Sequence, residues 1–328
     1  MKFINYNIFF LYSKRLFLLL SIFFINFSKL KSQNYNFPDL YSEKILFNPA
    51  YSGLSNLSEI NINYSTNILY DLYSVSYNHF IEKYNSGTGL LISNKRLGKG
   101  AINNFKISCI YNYRVKINYK SIVNTAVEIS YIEQSINSDK LIFSNQINPI
   151  TQTISSNNTE FYNNTYRTYD FSFGTSYISN KYRAGLSIHH TDKIFTSSKK
   201  NIIKPLYSAN FGKIFSVTFL NKKQNLIITP EIIWQSQNNF HQIYYIVHGI
   251  YNIFLTRIFL KQNLNFNTIE SGISIGLNYT KFRLTYTYNI SFTKYLFMPV
   301  NTNGISLRYN FGKQKKINFR NTIYCSDF

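Results

Sequence analysis

The chain has 328 residues, a formal net charge of +21 and an aromatic fraction of 18%. Its mean hydropathy of −0.18 excludes a bundle of apolar helices, but it suits a barrel whose polar lumen offsets a lipid-facing surface. Lysine and arginine are scattered singly rather than gathered in one stripe, so the charge does not indicate nucleic-acid binding. Two cysteines, Cys109 and Cys325, are too few for a disulfide scaffold.

Residues 1–32 are predicted to be a secretory signal peptide. Basic residues precede an apolar run over 16–27, and the small residue Ser32 ends the segment. The run is about 12 residues long, whereas a membrane-spanning helix needs roughly 20. An uncleaved anchor is the alternative, because Leu30 suits the third position before a cleavage site poorly.

Residues 33–57 are predicted to form a folded periplasmic segment before the first strand. The segment contains Asn-Pro-Ala-Tyr-Ser-Gly at positions 48–53. Asn-Pro and Ser-Gly are turn formers, and here they enclose a small and an aromatic residue. The alternative reading of this stretch is an ordinary loop.

Hydrophobic and polar side chains alternate with a period of two from residue 58 to residue 311, as in the last segment. One face of that segment carries apolar side chains: Ile305, Leu307, Tyr309 and Phe311. The other face carries polar side chains: Ser306, Arg308 and Asn310. Such alternation is typical of a strand between lipid and an aqueous lumen. The stretches 226–233 and 250–260 alternate poorly because both of their faces are apolar.

Turn-forming residues separate the segments, at 85–87, 94–98, 137–139, 179–181 and 221–225. The polar stretch 144–168 is predicted to be an extended loop. At roughly 9–11 residues per spanning strand, with about eight per connection, about 14 strands fit, and about twelve or sixteen remain open. We therefore predict an all-β fold, a transmembrane antiparallel β-barrel over residues 58–311, since an open sheet edge cannot lie in hydrocarbon.

The last strand and the tail carry two further predictions. A glycine, Gly304, followed by Leu307, Tyr309 and Phe311 resembles the signal that outer-membrane assembly machinery recognises on a final strand. The basic tail, residues 312–328, is predicted to be either a disordered periplasmic end or a docking peptide for periplasmic secretion components.

The order of signal, Gln33, Asn-Pro-Ala-Tyr-Ser-Gly and strands resembles the PorP/SprF family of Bacteroidetes outer-membrane proteins, which are associated with type IX secretion and gliding motility. Residues 87–94, 134–141 and 182–188 are similar to the family as well. Residues 301–304 depart from it, because they read Asn-Thr-Asn-Gly where the family has a Gly-Ser-His-Glu-like block. No role tied to that block's His and Glu is carried over.

The resemblance implies a cell outer-membrane protein that supports export or surface attachment of a secreted or adhesin-type partner by binding. It also implies contact with periplasmic type IX components and outer-membrane lipid, with no nucleic acid. The predicted partner-contact residues belong to the motif: Asn48, Pro49, Ala50, Tyr51 and Gly53.

No catalytic, cofactor-binding or metal site is predicted. Adjacent histidines, His189 and His190, point to opposite faces of a strand and cannot chelate one metal as a pair. Gly87-Thr88-Gly89 lacks the third glycine and the following helix of a dinucleotide loop. A porin-like diffusion channel is the alternative function, and a soluble secreted β protein is a third reading.

Overall fold

The computed structural model describes residues 42–55, 57–137, 140–141, 164–191, 204–218, 225–238, 240–264, 268–279, 281–293 and 299–311. The predicted signal peptide (1–32) and the basic tail (312–328) lie outside the described residues. None of the described residues forms a helix that is long and apolar enough to span a membrane.

The described chain is built almost entirely from antiparallel strands, as its period-two pattern predicts. The strands are β1 (Ser58–Thr66), β2 (Tyr70–Ile81), β3 (Ser86–Leu97), β4 (Ile102–Asn118), β5 (Ser121–Ile136), β6 (Asn164–Ser179), β7 (Tyr182–His189), β8 (Leu206–Lys213), β9 (Phe215–Thr218), β10 (Asn225–Gln237), β11 (Phe240–Tyr251), β12 (Phe254–Asn263), β13 (Thr268–Tyr279), β14 (Phe282–Thr293) and β15 (Val300–Phe311). Short 3₁₀ turns occur at Lys44–Leu46, Pro49–Tyr51 and Glu82–Tyr84.

The sheet closes on itself. Strand β1 pairs with β15, with Ser58 opposite Phe311 and Thr66 opposite Asn303. The short strand β9 continues the line of β8, and both pair with β10. The result is a closed barrel of 14 strands with one extra short strand, so the fold prediction is confirmed. Closure removes the unpaired edges that hydrocarbon would not tolerate.

The outer face of the barrel is apolar and exposed. Aliphatic side chains such as Ile62, Val75 and Ile273 lie in the middle of the strands. Aromatic side chains are exposed towards both strand ends, including Tyr64, Tyr73, Tyr169, Trp234 and Phe292 at one end and Tyr182, Phe254, Tyr279, Phe282 and Phe311 at the other. Two aromatic girdles around an aliphatic band are the outer surface of a bilayer-spanning barrel.

The two ends of the barrel differ in their connections. At the short-turn end, where β1 begins and β15 ends, the links 82–85, 119–120, 180–181 and 252–253 are brief. At the long-loop end, β5 connects to β6 through residues 137–163, and β7 to β8 through residues 190–205. Outer-membrane barrels have short periplasmic turns and long extracellular loops, so we expect the short-turn end to face the periplasm.

The turn expected at 85–87 is shorter than predicted, because β3 begins at Ser86. Two further details of the predicted strand map are wrong. Residues 94–97, expected in a turn, continue β3, and the chain reverses at Gly98 and Gly100, which both have positive φ. Residues 164–168, expected in a loop, begin β6. In both places polar side chains were read as turn signals, although a strand that rises past the membrane boundary carries the same residues.

Candidate functional site: a plug inside the barrel

The described part of the N-terminal segment lies in the lumen. We define residues 43–54 as the plug, because their side chains and carbonyls contact inward-facing residues of the wall. Segment 33–57 was expected on the periplasmic side of the barrel, and its described residues are instead enclosed by the strands that follow it. All the predicted partner-contact residues of the motif are buried there: Asn48, Pro49, Ala50, Tyr51 and Gly53.

The motif folds as a tight 3₁₀ turn. Asn48 is extended (φ −150°, ψ 116°), as expected for a residue that precedes proline. Its Oδ1 accepts a hydrogen bond of 2.9 Å from the Ala50 N–H, which caps the turn. Pro49 occupies the first helical position, where its missing N–H leaves no bond unmade. Gly53 then reverses the chain with φ +64°, a conformation that glycine adopts without strain.

Asn48 attaches the turn to strands β6 and β7. Its Nδ2 donates to the carbonyl oxygens of Thr175 (3.1 Å) and Leu186 (3.2 Å). The approach is close because Gly174 and Gly185 face the lumen at this point. A Cβ on Gly174 would lie 3.0 Å from the Pro49 ring, and one on Gly185 would lie 2.9 Å from Asn48 Nδ2. The wall therefore contains a notch shaped for Asn48 and Pro49.

A second close contact holds the end of the motif against β3. A Cβ on Gly87 would lie 2.5 Å from the Ser52 carbonyl oxygen. A Cβ on Gly53 would lie 2.6 Å from the Gly87 Cα. Two backbones approach each other here without intervening side chains, so both positions require glycine.

Strand β4 recognises the backbone of the plug. Two of its side chains donate hydrogen bonds to plug carbonyls: Asn112 to Ala50 (3.2 Å) and Ser52 (2.7 Å), and Arg114 to Gly53 (2.7 Å) and Leu54 (3.2 Å). The Arg114 guanidinium also lies 3.9 Å from the centre of the Phe80 ring. Each bond satisfies a carbonyl that is removed from water, which is the condition for burying a peptide segment.

Strand β7 binds the start of the motif through the carbonyl of Phe47. Ser187 Oγ donates to this oxygen at 2.8 Å, and His189 Nε2 lies at the same distance. A carbonyl only accepts, so His189 carries its proton on Nε2. Its Nδ1 lies 3.7 Å from Glu128, which forms an ion pair of 2.7 Å with Lys106.

Tyr51 and Glu43 anchor the plug to polar groups on either side. The Tyr51 hydroxyl accepts a 2.7 Å bond from Asn210, and burial raises the pKa of this phenol above its ordinary value. Glu43 accepts bonds from Asn63 and Ser76, each at 2.9 Å. Burial raises the pKa of Glu43 to about 8, so its carboxyl is mostly protonated at neutral pH.

Apolar packing completes the site in two clusters. In one, Ile45 and Ala50 of the plug pack on wall residues Leu91, Ile110 and Ala126. In the other, three plug residues contact an apolar inner wall: Phe47, Tyr51 and Leu54 against Leu72, Ile122, Ile178, Ile233, Tyr244, Ile246 and Phe259. The poor alternation of 226–233 and 250–260 follows from this, because apolar residues of those stretches face inwards to fill the lumen.

The predicted assembly signal lies on the last strand, away from the plug. Leu307, Tyr309 and Phe311 face outwards at the short-turn end, whereas Gly304 faces the lumen. Tyr309 contacts Phe311 edge-on with ring centres 4.6 Å apart. This side-chain arrangement is compatible with recognition from the membrane side, and the signal stays a prediction.

The sequence analysis identified the motif but missed the wall residues that hold it in the lumen. Asn112, Arg114, Gly174 and Gly185 read as ordinary inward positions of strands. Ile110 interrupts the polar face of β4, and this apolar residue among polar ones was a signal that something packs inside. No cluster of His, Cys, Asp or Glu suited to a metal occurs among the described residues.

The fold and the site define an outer-membrane β-barrel whose lumen is occupied by its own N-terminal segment. The family model described as type IX secretion system membrane protein PorP/SprF matches residues 29–309. The chain belongs to this family. The family resemblance and the outer-membrane localisation that were predicted from the sequence are thereby confirmed.

Solved structures with a similar fold are channels and outer-membrane proteins of very different sequence. The CymD monoaromatic hydrocarbon channel has 10% identity and a TM-score of 0.48, over 84% of this chain and 94% of that one. Omp33 of Acinetobacter baumannii has 6% identity and a TM-score of 0.47, over 79% of this chain and 100% of that one. A FadL homologue of Pseudomonas aeruginosa has 9% identity and a TM-score of 0.42, over 78% of this chain and 90% of that one. A comparison with the curated proteins finds no match.

Proposed function

We propose that this barrel supports export or surface attachment of a secreted partner protein by binding it at the outer membrane, without catalysis. The supporting observation is the filled lumen. A barrel that carries a plug fixed by many hydrogen bonds offers little room to diffusing solutes. Its exposed ends are the surfaces that remain for a macromolecular partner.

The half of the lumen away from the motif is also packed. Ser274 and Asn289 point inwards from β13 and β14, and both are 0% exposed. Arg257 on β12 is 3% exposed. An open water-filled channel would leave such polar inward side chains accessible, as in porins. The packing therefore favours an anchor over the porin-like alternative.

The surface that we assign to the partner is the extension of β5 and β6 at the long-loop end. Tyr131 and Tyr169 face outwards as a cross-strand pair, with ring centres 5.8 Å apart. One pair further out, Arg167 forms an ion pair of 2.8 Å with Glu133. Charges at this position place the outer part of the extension, beyond the girdle residue Tyr169, in water. Exposed tyrosine and arginine are residue types enriched at binding hot spots.

The motif and the tail keep separate roles in this proposal. Asn48–Gly53 reaches a partner directly only if the plug leaves the lumen, so that contact stays a prediction. The tail remains a candidate docking peptide for periplasmic secretion components. Deletion of residues 313–328 tests it, since unchanged export and attachment of the partner would eliminate this role.

Conductance in planar bilayers separates the anchor from the channel. The purified full-length protein is expected to pass far less current than a porin of similar strand number. Gly174→Val, which fills the notch for Asn48, is expected to raise conductance by displacing the plug. A large steady conductance of the unmodified protein would refute the anchor.

Co-purification tests partner binding. A tagged full-length protein, extracted from outer membranes in detergent, is expected to retain a secreted protein that an unrelated tagged barrel does not. Arg167→Glu and Tyr169→Ala should reduce this retention, whereas Asn301→Ala, an exposed substitution at the same end of the barrel, should not. Equal retention by all three variants would rule out the β5–β6 surface.

A further inference from the structure

Strand β6 is longer than its neighbour β7, and it keeps an open edge at the long-loop end. β6 has 16 residues and pairs with β5 along its whole length. β7 has 8 residues and pairs with β6 only between Phe173 and Ile178. Among the described residues, no strand pairs with the β7 side of residues 164–170. We call this stretch the β6 edge.

The main-chain groups that the β6 edge presents follow from the strand pattern. Successive residues of a strand point their N–H and C=O groups to opposite sides. The Phe171 carbonyl accepts a 3.0 Å bond from the Thr191 N–H, so the main-chain groups of Phe171 point towards β7. Three residues of the edge lie at two-residue steps from Phe171 and share its orientation: Thr165, Arg167 and Tyr169. Their N–H and C=O groups therefore point away from β5.

One local bond reaches these groups within the part of the chain that the structure describes. The Thr168 hydroxyl donates to the Tyr169 carbonyl at 3.2 Å. A carbonyl oxygen has two acceptor positions, so the Tyr169 carbonyl can still accept a main-chain bond. The three N–H groups are donors that a further strand would satisfy.

A turn held by specific contacts ends β7 at this level. His190 has φ +61°, in the left-handed region that a strand does not use. Its Nδ1 lies 2.9 Å from Asp170 Oδ2, and both residues are buried. Thr191 donates from its N–H and from its hydroxyl to the Phe171 carbonyl, at 3.0 and 2.7 Å. These contacts turn the chain away from β6, which leaves the β6 edge open.

The sequence of the β6 edge favours pairing. It reads Asn-Thr-Tyr-Arg-Thr-Tyr-Asp, in which threonine and tyrosine favour strands. Natural sheets protect their edges with proline, lysine, inward charges or bulges. The edge contains no proline or lysine, its inward Asp170 is paired with His190, and its register with β5 is regular. Arg167, its outward charge, is paired with Glu133 at 2.8 Å.

The open edge begins at the boundary of the membrane. Unpaired main-chain groups cannot lie in hydrocarbon, because no water is present there to satisfy them. Tyr169, 68% exposed, belongs to the aromatic girdle, and Arg167 and Thr165 lie exposed beyond it. A segment of another molecule can therefore reach the edge from the long-loop end without entering the bilayer.

We propose that the β6 edge binds an extended segment of the secreted partner protein as an added β-strand. The inference rests on the function proposed above and specifies its binding mode. Main-chain hydrogen bonds to Thr165, Arg167 and Tyr169 supply the affinity, and alternate side chains of the added segment lie beside Tyr169 on the outer face. A segment of about five residues without proline matches this edge, because proline would remove a donor from the new ladder.

Hydrogen exchange of the purified full-length protein tests whether the edge is open. The Arg167 amide is expected to exchange more than about tenfold faster than the Thr168 amide, whose N–H points to β5. Binding of the partner should slow the Arg167 amide and leave the Thr168 amide unchanged. Equally slow exchange of both amides in the protein alone would show that the edge is already covered, and it would overturn the proposal.

A proline substitution tests main-chain pairing with the partner. Arg167→Pro removes the N–H on the open side, a position where an edge strand tolerates proline. Arg167→Ala is the matched control, because it loses the same side chain and keeps the N–H. In co-purification, Arg167→Pro is expected to retain the secreted protein about tenfold less than Arg167→Ala does, the effect of one lost hydrogen bond. If Arg167→Pro does not fold, Thr165→Pro and Thr165→Ala give the same comparison.

The outcomes separate this inference from the proposed function. Equal retention by the proline and alanine variants would refute the added strand and leave the proposed function standing. No retention by the unmodified protein would refute the proposed function, and the added strand with it.

Cross-linking identifies what occupies the edge. A photoreactive phenylalanine analogue at Thr165, which is exposed, is expected to link to the retained secreted protein. The same analogue at Asn301, exposed at the same end of the barrel, is the control and should not. A link to a second copy of this chain, or a link within one chain, would assign the edge to another occupant and overturn the proposal.

Discussion

Asn112 Nδ2 donates a hydrogen bond of 2.7 Å to the carbonyl oxygen of Ser52, across 60 positions of sequence. A side chain of β4 thus binds the backbone of a segment that precedes all the strands in the sequence. The same amide also reaches the Ala50 carbonyl at 3.2 Å. Recognition through carbonyls explains how one side chain can hold two positions of the turn.

Asn112→Ala is expected to destabilise the folded barrel by about 2–4 kcal/mol, because the buried Ser52 carbonyl loses its donor and the Ala50 carbonyl keeps only a long 3.5 Å bond from Ser176. The measurement is the unfolding midpoint, followed by heat-modifiable mobility on gels. Asn301→Ala removes the same amide from an exposed outer position and should cost less than about 0.5 kcal/mol. Equal effects of the two changes would contradict the bonding described for Asn112.

Gly174→Ala is expected to destabilise the seated plug, because the added methyl would overlap Asn48 and Pro49. Overpacking of this kind costs about 1–3 kcal/mol. A cysteine introduced at Ser52 should become more reactive towards a water-soluble maleimide in this background. The matched control is Gly304→Ala, whose added methyl would meet its nearest neighbour at an ordinary 3.6 Å. Labelling that does not differ between the two backgrounds would argue against the notch.

Plug stability is expected to fall as pH rises, because of Glu43. Its pKa of about 8 lies above the ordinary value of 4.5, so the folded state binds the proton more tightly than the unfolded state. The stabilisation is complete below about pH 4.5 and is lost as pH rises through about 8. The groups that face this carboxyl are Asn63, Ser76, Glu59 and Arg308.

Maleimide labelling at Ser52→Cys between pH 5 and 9 measures this effect, after correction for the pH dependence of a free thiol. Glu43→Gln cannot titrate, so it should flatten the profile, whereas Glu133→Gln, on the exposed surface, should leave the profile as it is. A profile that keeps its slope in Glu43→Gln would assign the pH dependence to another group.

Tyr309→Ala and Phe311→Ala are expected to lower the amount of barrel assembled in the outer membrane, if the last strand carries the assembly signal. Leu307→Ala should act in the same direction. Phe292→Ala removes an aromatic side chain from the other girdle and serves as the control. The readout is the heat-modifiable fraction in membranes at matched expression. If Phe292→Ala and Phe311→Ala lowered the assembled fraction equally, the effect would reflect general anchoring of aromatic side chains at the lipid interface and not an assembly signal.

The fold was predictable because a barrel wall imposes a period of two on every strand, and Ile305 to Phe311 carry that period without error. The plug was not predictable in the same way. Its bonds join Asn48 to β6 and β7 and Ser52 to β4, and no local periodicity encodes contacts between positions so far apart. The turn chemistry of Asn48-Pro49 indicated a folded segment, but only the closed wall determines that the segment lies inside.

The notch at Gly174 and Gly185 has a consequence for how sequences of this kind diverge. Asn48 and its two glycines are distant in the chain yet share one small volume, so neither side can change in size alone. A homologue that has replaced Gly174 with a larger residue is expected to carry a smaller residue, or a rerouted turn, in place of Asn48-Pro49. Correlated substitution at these sites would trace the plug through relatives whose strands no longer align.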